Sequence, residues 1–231
     1  FLNTFVWSKA LDNASGHLET SGGDDSRVSF TQRRSYKGVS GYNQPFNNTM
    51  TVIWEVPFGK GRKFGSDIPG IANVVLGGWN LSQTTTANSG LPVNLVYSPV
   101  ARLQVGSIGN IRANVIGDPL TPEAARGPTN YLNRSTVLEI VSNTATLANP
   151  YGNVGRNVVE APGYFATDFG LHKQVSLPRE GMKIEFRAEF FNFFNRTNFG
   201  QPGSVLGTPS FGIISSSGPA RVSQMSLKLV F

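Results

Sequence analysis

Cysteine is absent from the 231 residues, and histidine occurs only at His17 and His172. Without thiols there is no disulfide framework, no thiol nucleophile and no zinc ribbon, and two imidazoles leave little room for metal or general-base chemistry. Charge is scarce too: Asp, Glu, Lys and Arg make up 15% of the chain, against roughly 25% in an average soluble domain. The balance is basic, +6 at pH 7. The basic residues are dispersed over turns and strands rather than clustered with stacking aromatics, which argues against nucleic acid as a partner. Long apolar runs are missing as well. The most apolar stretch, Ile68 to Leu81, is interrupted by Pro69, Gly70, Asn73, Gly77 and Gly78, whereas a transmembrane helix needs ~18 or more consecutive apolar residues. Any contact with a membrane is therefore expected through strands. The chain also opens at Phe1 inside a strand-like pattern, with no initiator Met and no basic-then-apolar leader, and is read as a piece of a longer polypeptide.

What the sequence does contain is period-two alternation, in segments close to the roughly 9 to 11 residues that a tilted strand needs to cross a bilayer. Successive side chains of a strand point to opposite faces. From Lys183 to Phe190 this sets Ile184, Phe186, Ala188 and Phe190 on one face and Lys183, Glu185, Arg187 and Glu189 on the other. The C-terminal segment places Met225, Leu227, Leu229 and Phe231 together, opposite Gln224, Ser226, Lys228 and Val230. Phe165 to Leu177 alternates likewise, with Lys173 the one misfit on its apolar face. Asn48 to Val56 is a fourth such segment, Thr-rich Trp79 to Ser89 a fifth, and Phe1 to Lys9 a sixth.

The connections alternate in length. Pro178-Arg179-Glu180-Gly181 is a compact turn, and Phe58 to Gly78, with the basic turn Gly59 to Lys63, lies on the same side of the sheet. Ala10 to Phe46, Gly90 to Tyr164 and Arg196 to Ala220 are long and rich in Gly, Pro, Asn and Ser, and fall together on the other side. Short turns at one end and long loops at the other characterise bacterial outer-membrane barrels. The fold class expected is all-β: an antiparallel transmembrane barrel fragment of about six up-and-down strands. A soluble sandwich also alternates apolar-in and polar-out, but connections this long are uncommon in compact soluble domains.

Few groupings point to catalysis. His172 and Asp168 share a strand face but stand about 13 Å apart at strand rise, too far for a dyad. Gly59 to Lys63 lacks the spacing and the following helix of a phosphate loop. Asp24-Asp25 reads as a solvated acidic turn, with no EF-hand spacing after it. The alternating charges from Lys183 to Glu189, joined by Glu55 and Asp168, read as a water-facing lumen wall whose members neutralise one another.

Several stretches resemble the C-terminal portion of the barrel of TonB-dependent outer-membrane receptors, in particular the Oar-like branch with a carboxypeptidase-regulatory-like domain. They are Phe5-Val6-Trp7-Ser8-Lys9 with Leu11-Asp12; Trp54-Glu55-Val56-Pro57-Phe58-Gly59-Lys60-Gly61-Arg62; Leu76-Gly77-Gly78-Trp79-Asn80-Leu81; Gly152-Asn153-Val154-Gly155-Arg156-Asn157; Phe186-Arg187-Ala188-Glu189-Phe190-Phe191-Asn192-Phe193-Phe194-Asn195; and Gln224 to Phe231. The resemblance implies that residues 1–231 are the last strands of a larger barrel in a Gram-negative outer membrane, lacking the plug and the N-terminal strands. It implies energy-coupled uptake of a scarce solute, no covalent chemistry and no cofactor or metal. The partners implied are outer-membrane lipid, the plug and remaining strands, the TonB complex and the barrel-assembly machinery. Met225, Leu227, Leu229 and Phe231 would form the assembly signal, with Ser226 where Gly is frequent. In the longest loop Tyr97, Arg102, Arg112, Arg126, Tyr131, Arg134 and Tyr151 are the expected ligand-facing residues, because loops carry recognition and Tyr and Arg supply contact energy. An adhesion or structural barrel without transport is the alternative; an outer-membrane hydrolase using His17 or His172 with a Ser is a third reading.

Overall fold

The computed structural model describes residues 1–13, 36–97, 111–138, 152–179 and 181–231. Six strands form one sheet: β1 (Leu2–Trp7), β2 (Phe46–Glu55), β3 (Trp79–Asn88), β4 (Tyr164–Ser176), β5 (Lys183–Phe191) and β6 (Val222–Val230). They lie side by side in chain order, each antiparallel to its neighbours. All six expected strands are present, with ends shifted by a residue or two. Among the described residues β1 and β6 are each paired on one side only, so the sheet is open at both edges.

The register carries each alternation across the sheet. On one face Trp54, Leu81, Leu171, Ala188 and Met225 stand in a row, and Trp79, Lys173, Phe186 and Leu227 in the next. Large apolar side chains on this face stay open, with Leu227 73% and Met225 69% exposed, while the small Ala188 opposite Met225 is covered. The principal buried core contains no residue of the six strands. It is built from Val93, Leu95, Ala113, Tyr131, Leu132, Val137, Val154, Val159, Ala161, Phe211 and Ile214, all in the long connections. A sandwich buries its core between two sheets, and that arrangement is not seen among the described residues.

The turns explain which end is which. β4 and β5 are joined by a tight turn in which Leu177 N–H donates to Met182 O (2.9 Å) and Gly181 takes φ 78°. Between β2 and β3 lies an unanticipated helix, α1 (Gly70–Leu76). Its boundaries are the residues that break the apolar stretch: Pro69 stands at the N-cap and Gly77 at the C-cap, positions where a fixed φ and a missing side chain suit helix ends. The misfit Lys173 is accounted for here. Its Nζ lies 4.6 Å from the Trp79 ring centroid and donates to the carbonyls of Val75 (3.0 Å) and Gly77 at the C-terminal end of α1. A cation there meets the negative end of the helix dipole and the π-face of an indole.

The exposed apolar face is the one expected to meet lipid. Arginine at the midplane of a barrel's lipid face costs about 2–4 kcal/mol, and Leu227 sits mid-strand on that face. Leu227→Arg is expected to destabilise the whole protein in lipid vesicles by that amount in urea unfolding. Ser226→Arg, one residue away on the polar face, is expected to change stability far less.

Candidate functional site

The polar face gathers the residues read as a lumen wall. Pairing sets Glu55, Asn80, His172, Arg187 and Ser226 in one row and Gln174, Glu185 and Lys228 in the next. A groove of about 440 Å³ runs over these rows, lined by Asn80, His172, Gln174, Glu185, Arg187, Ser226 and Lys228 together with Lys173 and Phe186. A smaller depression of about 100 Å³ touches Ser82, Thr84, Asp168, Gly170 and Glu189. Charges of opposite sign are adjacent: Lys183 pairs with Glu185 at 2.8 Å, Arg187 with Glu189 at 3.9 Å and Arg62 with Glu55 at 3.0 Å. Exposed pairs of this kind contribute little to stability; their effect is a wetted wall with its charge locally balanced. Asp168 also has a structural task, accepting the backbone N–H of Asn192 at 2.9 Å. Asn192 and Asn195 take φ 50° and 51°, a left-handed conformation that Asn tolerates. The Asn192 amide donates to Arg196 O and Pro219 O, so the Phe-Phe-Asn-Phe-Phe-Asn run ends β5 and starts the last long connection.

Above this wall the three long connections fold together into a cap. Its interior is the apolar core already described, reinforced by two-residue pairings such as Val205–Leu206 beside Val96–Tyr97, which in turn pairs with Ile111–Arg112. The Gly152 to Asn157 motif is its clasp. Gly152 has φ 74°, and a Cβ there would stand 2.2 Å from Arg112 O, so only glycine fits. The Asn153 side chain brackets Val115, accepting from its N–H at 2.7 Å and donating to its carbonyl at 3.0 Å. Arg156 Nη2 donates to Asp12 O at 2.6 Å and pairs with the Asp12 carboxylate, while the Asn157 amide donates to Val39 O at 2.7 Å. First and second connections are thereby joined.

The expected ligand-facing residues are placed mostly inside this cap. Arg112 is 4% and Tyr131 8% exposed, so both side chains lie in the interior of the cap. Tyr131 OH donates to Glu160 O at 2.7 Å, and burial raises the phenol's pKa. Arg126 donates through Nε to Thr121 O at 2.8 Å and stacks over the Tyr131 ring. Arg134 Nη2 donates to Pro209 O (2.9 Å) and Phe211 O (2.7 Å), tying the second connection to the third. Tyr97 sits in the middle strand of the small three-stranded pairing. Arg102 and Tyr151, like His17 and Asp24-Asp25, lie outside the described residues. Among the described residues, Arg126, Tyr131 and Arg134 hold the loops together through contacts to main-chain oxygens. Arg156 was visible in its motif but not singled out, since nothing local marks a side chain whose partner Asp12 lies 144 residues away. Met225, Leu227 and Leu229 share the open apolar face of the edge strand β6, and Phe231, beyond its end, is 94% exposed.

A sheet of six up-and-down strands with one exposed apolar face, one charged face, short turns at one end and a folded cap at the other is the plan of an outer-membrane barrel protein. The chain matches the family described as outer membrane beta barrel domain over residues 1–224, and it belongs to that family. Its place is the Gram-negative outer membrane, with the cap on the outer side and the short turns on the periplasmic side. No curated protein and no solved structure matches the chain.

Hydrogen bonds to a charged group are worth about 1.5–3 kcal/mol each. Arg134→Ala is therefore expected to loosen the cap while leaving the barrel inserted. Limited proteolysis of intact cells should cut the variant within residues 192–221 faster than wild type, with unchanged heat-modifiable migration of the barrel.

Proposed function

We propose that the chain is the C-terminal strand set of a TonB-dependent outer-membrane receptor of the Oar-like branch, which takes up a scarce external solute by energy coupling. The observation that carries this is the charged face. Lys183, Glu185, Arg187, Glu189, Asp168 and Glu55 lie on one side of a sheet whose edge strands β1 and β6 are each paired once. A wall of this width and polarity suits a wide lumen, and a wide lumen requires a plug. Under this reading residues 1–231 are one part of a larger barrel, the wall contacts the plug, and the plug shares the solute site with the cap. The TonB complex acts through the N-terminal part, and no covalent chemistry or cofactor is involved.

One observation favours the second reading, an adhesive or structural barrel. The connections carry a core of their own, which suits a fixed surface as well as a gate. Deleting the gene, and separately deleting TonB, distinguishes the two. Growth on ferric siderophores, cobalamin, oligosaccharides and oligopeptides is expected to fail on the same solute in both strains. Loss of surface attachment with every uptake intact would point to the adhesive role.

The assembly machinery is read as gripping β6 by edge pairing. Removing Phe231 is expected to lower the amount of folded protein in the outer membrane several-fold and to raise the unfolded fraction in the periplasm. An unchanged level would remove the C-terminal aromatic from the signal.

A further inference from the structure

Two arginines are buried side by side in the cap. Arg112 is 4% and Arg156 3% exposed. Of their guanidinium nitrogens, Arg112 Nε and Nη2 and Arg156 Nε and Nη1 are enclosed and have no hydrogen-bond partner among the described residues. Asn94 Nδ2 is in the same condition, and Asn94 belongs to the same place: its Oδ1 accepts from Asn157 N–H, the residue after Arg156. Among the described residues one carboxylate, Asp12, is paired with this group, and it engages Arg156 through Nη2.

Buried polar groups are almost always hydrogen-bonded, and a buried charge needs a counter-charge. Among the described residues, two guanidiniums face one carboxylate, which leaves a positive charge uncompensated there. Burial first and the neighbouring Arg156 second hold the Arg112 pKa below the usual arginine range, with Tyr36 acting in the opposite sense. A guanidinium presents its N–H groups as a planar fork that matches the oxygens of a carboxylate or phosphate. The unpartnered donors are therefore of the type, and the charge of the sign, that an oxyanion satisfies.

We infer that Arg112, Arg156 and Asn94 form an oxyanion-binding site in the extracellular cap, one that takes the carboxylate or phosphate group of a small solute. Its neighbours keep the backbone close: Gly38 lies against Arg156 Cβ and Gly152 against Arg112 O, so main chain packs directly beside both arginines. The site belongs to the cap and stands whether or not the barrel transports.

The test is isothermal titration of the whole, detergent-purified protein with inorganic phosphate in one arm and succinate in the other. Saturable binding at one site is expected in at least one arm, and the stronger arm identifies the headgroup. Arg112→Gln is expected to weaken that binding at least tenfold, and Arg112→Lys, which keeps the charge but not the fork, to weaken it less. Arg112 is the better probe because Arg156 also carries the Asp12 contact. Heat-modifiable migration verifies that each variant is folded. No saturable binding of either anion by the wild-type protein overturns the proposal, whatever the variants do. Undiminished binding by folded Arg112→Gln overturns it as well. A buried guanidinium pair without a ligand function predicts a third pattern, also contrary: no anion binding, with Arg112→Met as stable as wild type or more so.

Discussion

The constraint on which everything else depends is the pairing of backbone N–H and C=O groups where no water is available to satisfy them. In a bilayer only helices and closed sheets meet it, and this chain has no helix long and apolar enough to cross among its described residues. The antiparallel ladder from β1 to β6 is the alternative. Once that ladder is formed, period-two alternation sends every second side chain to lipid and the rest to the lumen, and a one-residue slip in any strand would exchange the two sets. Alternation in each strand and agreement of register between strands are therefore one requirement seen twice.

The ladder leaves the apolar face without a protein partner, so the buried core is made elsewhere. The second and third long connections supply it, with Leu95, Leu132 and Phe211 at its centre. Long polar connections would be costly to order one at a time; the second and third share one interior and are tied by Arg134, and Arg156 binds the first to the second. The two parts thus rely on different forces. The sheet depends on lipid and backbone pairing, and the cap on apolar burial and arginine contacts to main-chain oxygens.

Where the alternation is broken, the exception has a local cause. Lys173 lies on the apolar face because α1 ends its carbonyl row beside it and Trp79 presents a ring. The long stem is covered by apolar surface while the ammonium is held by carbonyl oxygens, an arrangement that amphipathic side chains permit. The residue that least fits the strand pattern is the one that anchors the helix of the periplasmic turn.

The sequence by itself determined the sheet: the six strands, their order and faces, the side on which the short turns lie and the polar wall were legible because strand alternation is local and period-two patterns survive without knowledge of partners. The GNVGRN and FFNFFN runs were legible as motifs, though not as what they do. Only the tertiary structure decided the rest. Helix α1 was hidden because seven residues between Pro69 and Gly77 are too few to show helical periodicity. The core of the cap was hidden because Leu132 and Phe211, or Arg156 and Asp12, meet across long stretches of chain, and nothing at either position announces the other. Arg112 and Tyr131 were marked as ligand-facing by type and loop context, which says nothing of their burial. Folding turned them inward, since burial is set by what closes over a residue rather than by the residue itself.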